Sequence, residues 1–160
     1  STDFNAVFIL YHAAHHMLIG GIGLRQICDW ATLLYKHHSE INQTELKANL
    51  KRFHLEPVWR EFCRVIATVI GLDPKYIPLA PPNIAATMAT EFIIKDIFET
   101  GNFGHHKHTP AESCFIKRKW STFLRTTQRF AKLVKIFPCF SIPTVLSMYI
   151  LIIKSNFKSQ

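Results

Sequence analysis

Apolar positions fill the start of the chain almost without a break. From Phe4 to Leu18 the main polar side chains are His12, His15 and His16. A run of that length reads as a buried helix, too short to cross a bilayer. Gly20, Gly21 and Gly23 interrupt it. A second helix is expected from about Leu24 to Tyr35, with Leu24, Ile27, Ala31 and Leu34 along one face. Asn42 stands three residues before Glu45, the spacing of a capping box, and Leu46, Leu50 and Phe53 follow at helical intervals. Glu56-Pro57 opens the next helix, since proline suits a first turn. Its inner face is read as Phe62, Val65, Ile66, Val69 and Ile70, and Gly71 stops it.

Pro74, Pro78, Pro81 and Pro82 exclude a helix or central strand from Leu72–Pro82, which is read as an extended connector packed by Tyr76 and Ile77. Asn83 is expected to cap a helix through Ile84, Met88, Phe92 and Ile97 that ends at Gly101. The polar stretch Asn102–Glu112 reads as a mobile loop. Ser113 to Phe137 is the clearest amphipathic helix. Ile116, Trp120, Phe123, Phe130 and Val134 share one face; Arg118, Arg125, Arg129 and Lys132 share the other. Pro138 ends it, and Ile142 to Ile153 is expected to be a core helix starting near Pro143. Two prolines divide this last apolar stretch, which argues against integral membrane insertion. Strand alternation and internal repeats are both lacking. The expected fold is all-α, with about six or seven helices in a single compact helical domain over residues 1–160.

A chain of 160 residues can bury about 70% of its unfolded surface without a staple. Charge changes the picture more than size does. Residues 1–100 carry 9 basic and 10 acidic side chains, whereas residues 101–160 carry 10 basic and 1 acidic. The whole excess of +8 therefore comes from the last third, which suggests an anionic partner there. Cys28, Cys63, Cys114 and Cys139 are widely spaced, without a C-x-x-C pair, and read as reduced thiols of a cytoplasmic protein. Ser1-Thr2-Asp3 lacks the basic start of a signal peptide.

Candidate chemistry is sparse. His12 and His16 lie one helical turn apart, but a zincin needs glutamate after the first histidine, where this chain has Ala13. Hydrogen-bonded histidines between packed helices are the plainer reading, and no metal site is expected. Arg25 and Asp29 form an i, i+4 pair beside the glycine-rich bend, and a partly buried network with His12 or His16 is the expectation. Gly20-Gly21-Ile22-Gly23 could expose backbone N–H groups to a phosphate, although a tight interhelix turn explains it as well. His105, His106 and His108 read as a solvated cluster. A nucleophile elbow is absent.

Two segments carry a resemblance. The stretch Phe4-Asn5-Ala6-Val7-Phe8-Ile9-Leu10-Tyr11-His12-Ala13-Ala14-His15-His16 runs on into Gly20-Gly21-Ile22-Gly23-Leu24-Arg25-Gln26-Ile27-Cys28-Asp29-Trp30, and Gly101-Asn102-Phe103-Gly104 follows later. In this order they resemble the carboxyl-terminal helical half of the bacterial uncharacterised nucleotidyltransferase family, common in Bacteroidetes. The resemblance implies a member of the polymerase-beta-like superfamily, which transfers a nucleoside monophosphate from an NTP with Mg2+. It also implies that His12, His16, Arg25 and Asp29 match recurring polar positions that line the cleft or organise the domains. The superfamily's metal ligands, an Asp-x-Asp pair in a small α/β domain, have no counterpart here: the chain contains no Asp-x-Asp or Asp-x-Glu.

The expected function is therefore that of a helical accessory or substrate-binding region, not catalytic alone, whose partner is an amino-terminal nucleotidyltransferase domain. Mg2+ and NTP belong to that domain. An alternative is a stand-alone module that binds a nucleotide, nucleic acid or acidic protein through Arg118, Arg125, Arg129 and Lys132. A peripheral membrane role for the last 25 or so residues, and a homodimer formed through an uncovered apolar face, are further expectations.

Overall fold

The computed structural model describes residues 1–100 and 115–157; in the last two helices, side chains are described at 121, 124, 126–147, 149 and 150. Among these residues the chain forms seven α-helices and no strand. They are α1 (Thr2–Ile19), α2 (Leu24–His37), α3 (Gln43–Arg52), α4 (Glu56–Val65), α5 (Met88–Thr100), α6 (Phe115–Ile136) and α7 (Pro138–Phe157). The all-α compact domain expected from the sequence is the one observed.

Helix α1 is the hub, packing against α2, α3 and α6. Its buried line is Ala6, Val7, Leu10, Ala13, Ala14 and Met17. The other side is not covered: Phe4 and Phe8 are about half exposed, at 50% and 55%, and Tyr11 and Ile19 are also exposed. The continuous apolar run thus encodes two surfaces, only one of which is core.

Aromatic packing joins α1, α2 and α4. Trp30 meets Trp59 edge to face at 5.1 Å between ring centroids and Phe62 at 6.1 Å. Both buried indole N–H groups have partners. Trp30 Nε1 donates to the Ala6 carbonyl at 3.1 Å, and Trp59 Nε1 donates to the Pro78 carbonyl at 3.2 Å. The second bond fastens the proline-rich connector to the core. Ile77 is buried beside it, and Tyr76 lies against Tyr35 and His38. A short 3₁₀ turn, Pro74–Tyr76, and a turn closed by the Ala80 amide on the Ile77 carbonyl, with Leu79 at φ +52°, interrupt the extended path of that segment.

Local signals set most helix ends. The Asn42 side chain accepts from the Thr44 and Glu45 amides, as its spacing predicts, and the Asn42 amide donates to Asp3 Oδ1 at 2.6 Å. The first turn of α1 therefore anchors the start of α3. Helix α4 runs on into a π-helical turn at Ile66–Ile70, and Gly71 stops it at φ +75°. The wider turn rotates the last residues, so Ile70 is exposed rather than part of the inner face.

Two expected boundaries shift. Helix α5 starts at Met88, not after Asn83. Asn83 instead closes a turn onto the Ala85 amide, and its carbonyl accepts from Arg64 Nε. The start is fixed by Thr87 and Thr90, whose hydroxyls each accept the other's backbone N–H and each donate to Glu61 Oε2 at 2.7 and 2.6 Å. Helix α7 starts at Pro138, separated from the end of α6 by the single residue Phe137, and runs through Pro143. Pro143 lacks the N–H that would bond the carbonyl one turn back, and the helix tolerates that loss. Among its described side chains α7 is mostly exposed rather than core: Phe140 and Ser141 are buried, while Ile142, Leu146, Tyr149 and Ile150 are exposed. The expected Asn102–Glu112 loop, its three histidines and Cys114 lie outside the described residues.

Candidate functional site

Helices α1 and α2 present the four polar residues singled out by the resemblance. His12 is exposed and His16 half-buried. Their Nε2 atoms are 3.1 Å apart, with rings nearly perpendicular and centroids 4.3 Å apart. The expectation of histidines buried between helices is corrected: the pair sits on the open side of α1. Phe4, Phe8 and His12 continue the same line of rings, with successive centroids at 6.1 and 6.4 Å. Tyr11 and His15 form a shorter parallel pair at 6.2 Å. Burial, and then the charge of His12, holds His15 and His16 below the ordinary histidine range; for His16 the charge of His15 adds to this.

Arg25 and Asp29 occupy the first two turns of α2. Their side chains are 88% and 67% exposed and only 3.9 Å apart at closest approach. They form a solvated pair, not the partly buried network expected with His12 or His16. A pair this exposed contributes at most a few tenths of a kcal/mol. Both side chains are therefore available to something outside the chain.

The glycine turn between these helices does not offer a phosphate cradle. The Gly20 and Gly21 amides both donate to the His16 carbonyl at 3.0 Å, and the Gly23 amide donates to Gln26 Oε1 at 3.0 Å. Three of the turn's N–H groups are thus used within the chain. Gly21 takes φ +104°, which a side chain would strain. The tight-turn reading holds.

The basic face of α6 is smaller than the sequence suggests. Arg129 points inward, with its side chain 12% exposed, and forms a two-pronged ion pair with Asp96 of α5, itself 8% exposed. Its Nε also donates to the Met17 carbonyl at the end of α1. That carbonyl is free to accept because the next amides converge on His16. Arg129 is thus a structural clamp joining α1, α5 and α6, not an anion-binding residue. Among the described side chains of α6, Leu133 is buried and Phe130 partly so, and Phe137 just past the helix end is buried too. Of the expected apolar face, Val134 is half-buried, and the side chains of Ile116, Trp120 and Phe123 lie outside those described. Lys132 is exposed; the side chains of Arg118 and Arg125 lie outside those described.

Sequence reasoning missed Asp96, although a signal existed. Asp96 lies among Ile93 and Ile97 on the buried stripe of α5, where an acid demands a partner. It also missed the Glu61–Arg64–Thr87–Thr90 network, which joins residues far apart in the chain. Of the cysteines, Cys63 is buried, which pushes its thiol well above the ordinary range, and Cys139 is exposed. An open groove between α1, α6 and α7 is lined by His15, Leu18, Ile19, Phe130, Val145 and Tyr149, and by none of the four candidate residues.

No family model, curated protein or solved structure matches this chain. Among the described residues, no helix is long and apolar enough to cross a membrane.

Proposed function

We propose that this chain is the helical, substrate-cleft-lining region of a nucleotidyltransferase-like protein and does not catalyse nucleotidyl transfer alone. The observation that carries the reading is where the polar residues of the resembling segment lie. His12, His16, Arg25 and Asp29 all reach the surface of one helix–turn–helix unit, while the apolar residues between them build the core. Trp30, bonded to the Ala6 carbonyl, holds the two helices in register. A rigid unit that displays polar groups outward suits a cleft wall.

Two further features support the reading. The sequence contains no Asp-x-Asp or Asp-x-Glu, so in this reading Mg2+ and NTP are handled by a separate α/β domain. The exposed Phe4, Phe8 and Tyr11 of α1 give such a domain an apolar surface to cover. In this arrangement Arg25 pairs with an anionic substrate group, and His12 and His16 offer imidazole nitrogens from the same helix–turn–helix unit.

Nucleotide turnover tests the proposal. The purified chain, supplied with Mg2+ and each of the common NTPs, is expected to release no pyrophosphate. Turnover that follows the chain through purification and disappears in Asp29→Asn would overturn it.

A further inference from the structure

We infer that His12 and His16 form a two-imidazole site for a borderline divalent transition-metal ion on the open face of α1. The two residues are one turn apart, so their side chains leave the same side of the helix. Their Nε2 atoms stand 3.1 Å apart. Two nitrogens at that spacing, each about 2.05 Å from a shared ion, subtend roughly 98° at it. This lies between the cis angle of an octahedron, about 90°, and the tetrahedral angle, about 109°. The rings are nearly perpendicular, at 80°, and the Nε2–Nε2 contact is a hydrogen bond, so a bound ion takes the place of the shared proton.

The donor set selects the class of ion. Imidazole nitrogen suits Zn2+, Cu2+ or Ni2+, whereas Mg2+ prefers oxygen. Two protein ligands leave at least two coordination positions open. Among the described residues, no group of three or more His, Cys, Asp or Glu is placed to hold a metal, so none of these adds a third ligand to the pair. An oxygen or nitrogen donor on another molecule can take one of the open positions. The inference stands on the pair's own geometry and survives failure of the nucleotidyltransferase reading.

Zinc calorimetry on the full chain at about pH 7.5 tests it. His105, His106 and His108 supply competing imidazoles, so a variant with all three changed to Ser is titrated in parallel. In that variant one zinc ion is expected to bind each chain, and the His12, His15 and His16 changes are made in it. Affinity should fall at least about tenfold in His12→Ala and in His16→Ala, and persist in His15→Ala. Circular dichroism checks that each variant keeps its helix content. Affinity unchanged in His12→Ala, zinc binding lost in the triple loop variant, or no saturable binding at all would each overturn the inference.

Discussion

At the scale of single residues, the Arg129–Asp96 pair makes the largest demand. Both side chains are nearly buried, and the guanidinium is shared between a carboxylate and the Met17 carbonyl. Removing one partner takes this ion pair from the other charge while it stays nearly buried, so Arg129→Met or Asp96→Ala is expected to cost about 3–5 kcal/mol in urea unfolding. The paired replacement Arg129→Met with Asp96→Leu should recover most of that loss, because an apolar pair avoids the desolvation penalty. Lys132→Ala, on the exposed side, should change stability by no more than about 0.5 kcal/mol.

Histidine titration belongs to the same scale. The folded state lowers the values of His15 and His16, so it binds fewer protons than the unfolded chain. Their contribution to stability is complete above the unfolded value of about 6.5 and is lost as pH falls below it. In metal-free protein, NMR titration of the imidazole protons should give midpoints below the free-histidine value for both residues. His12→Asn should raise both midpoints, but only part of the way, since burial is the larger cause. Midpoints unchanged by His12→Asn would contradict the placement of these rings.

At the scale of elements, caps and stops were legible where the signal is local. Asn42, Pro57 and Gly71 each act within a few residues of themselves, and the structure places each where its chemistry predicts. The start of α5 was not legible, because the Thr87–Thr90 cap depends on Glu61, 26 residues earlier in the chain. The inward turn of Arg129 was hidden for the same reason: its partners lie 33 and 112 residues away. Periodicity also could not separate core from uncovered surface on α1 and α7, since Phe8 and Ile142 look as apolar as Leu10. The α5 cap gives a direct check. Thr90→Val removes a hydroxyl that accepts the Thr87 N–H and donates to Glu61, and is expected to cost about 1–2 kcal/mol. Native-state hydrogen exchange should quicken first in the opening turn of α5; protection unchanged there would show that the cap carries no weight.

At the scale of the whole molecule, the described side chains leave apolar groups exposed on α1 and α7, and α1 also carries two of the candidate polar residues, His12 and His16. Phe4, Phe8 and Tyr11 on α1 and Ile142, Leu146 and Ile150 on α7 are all exposed. Tyr11 touches Phe140 edge to face at 6.0 Å, which joins the two helices across this region. On the proposed function this surface is expected to meet another domain, and that domain is expected to bring the Asp-x-Asp pair that this sequence does not contain. The most direct measurement is the intact mass and peptide sequence of the native product isolated from its source cells. The account predicts a polypeptide larger than 18.5 kDa in which an α/β segment with an Asp-x-Asp pair precedes this chain. A native product of 18.5 kDa that co-purifies with no such domain would contradict it.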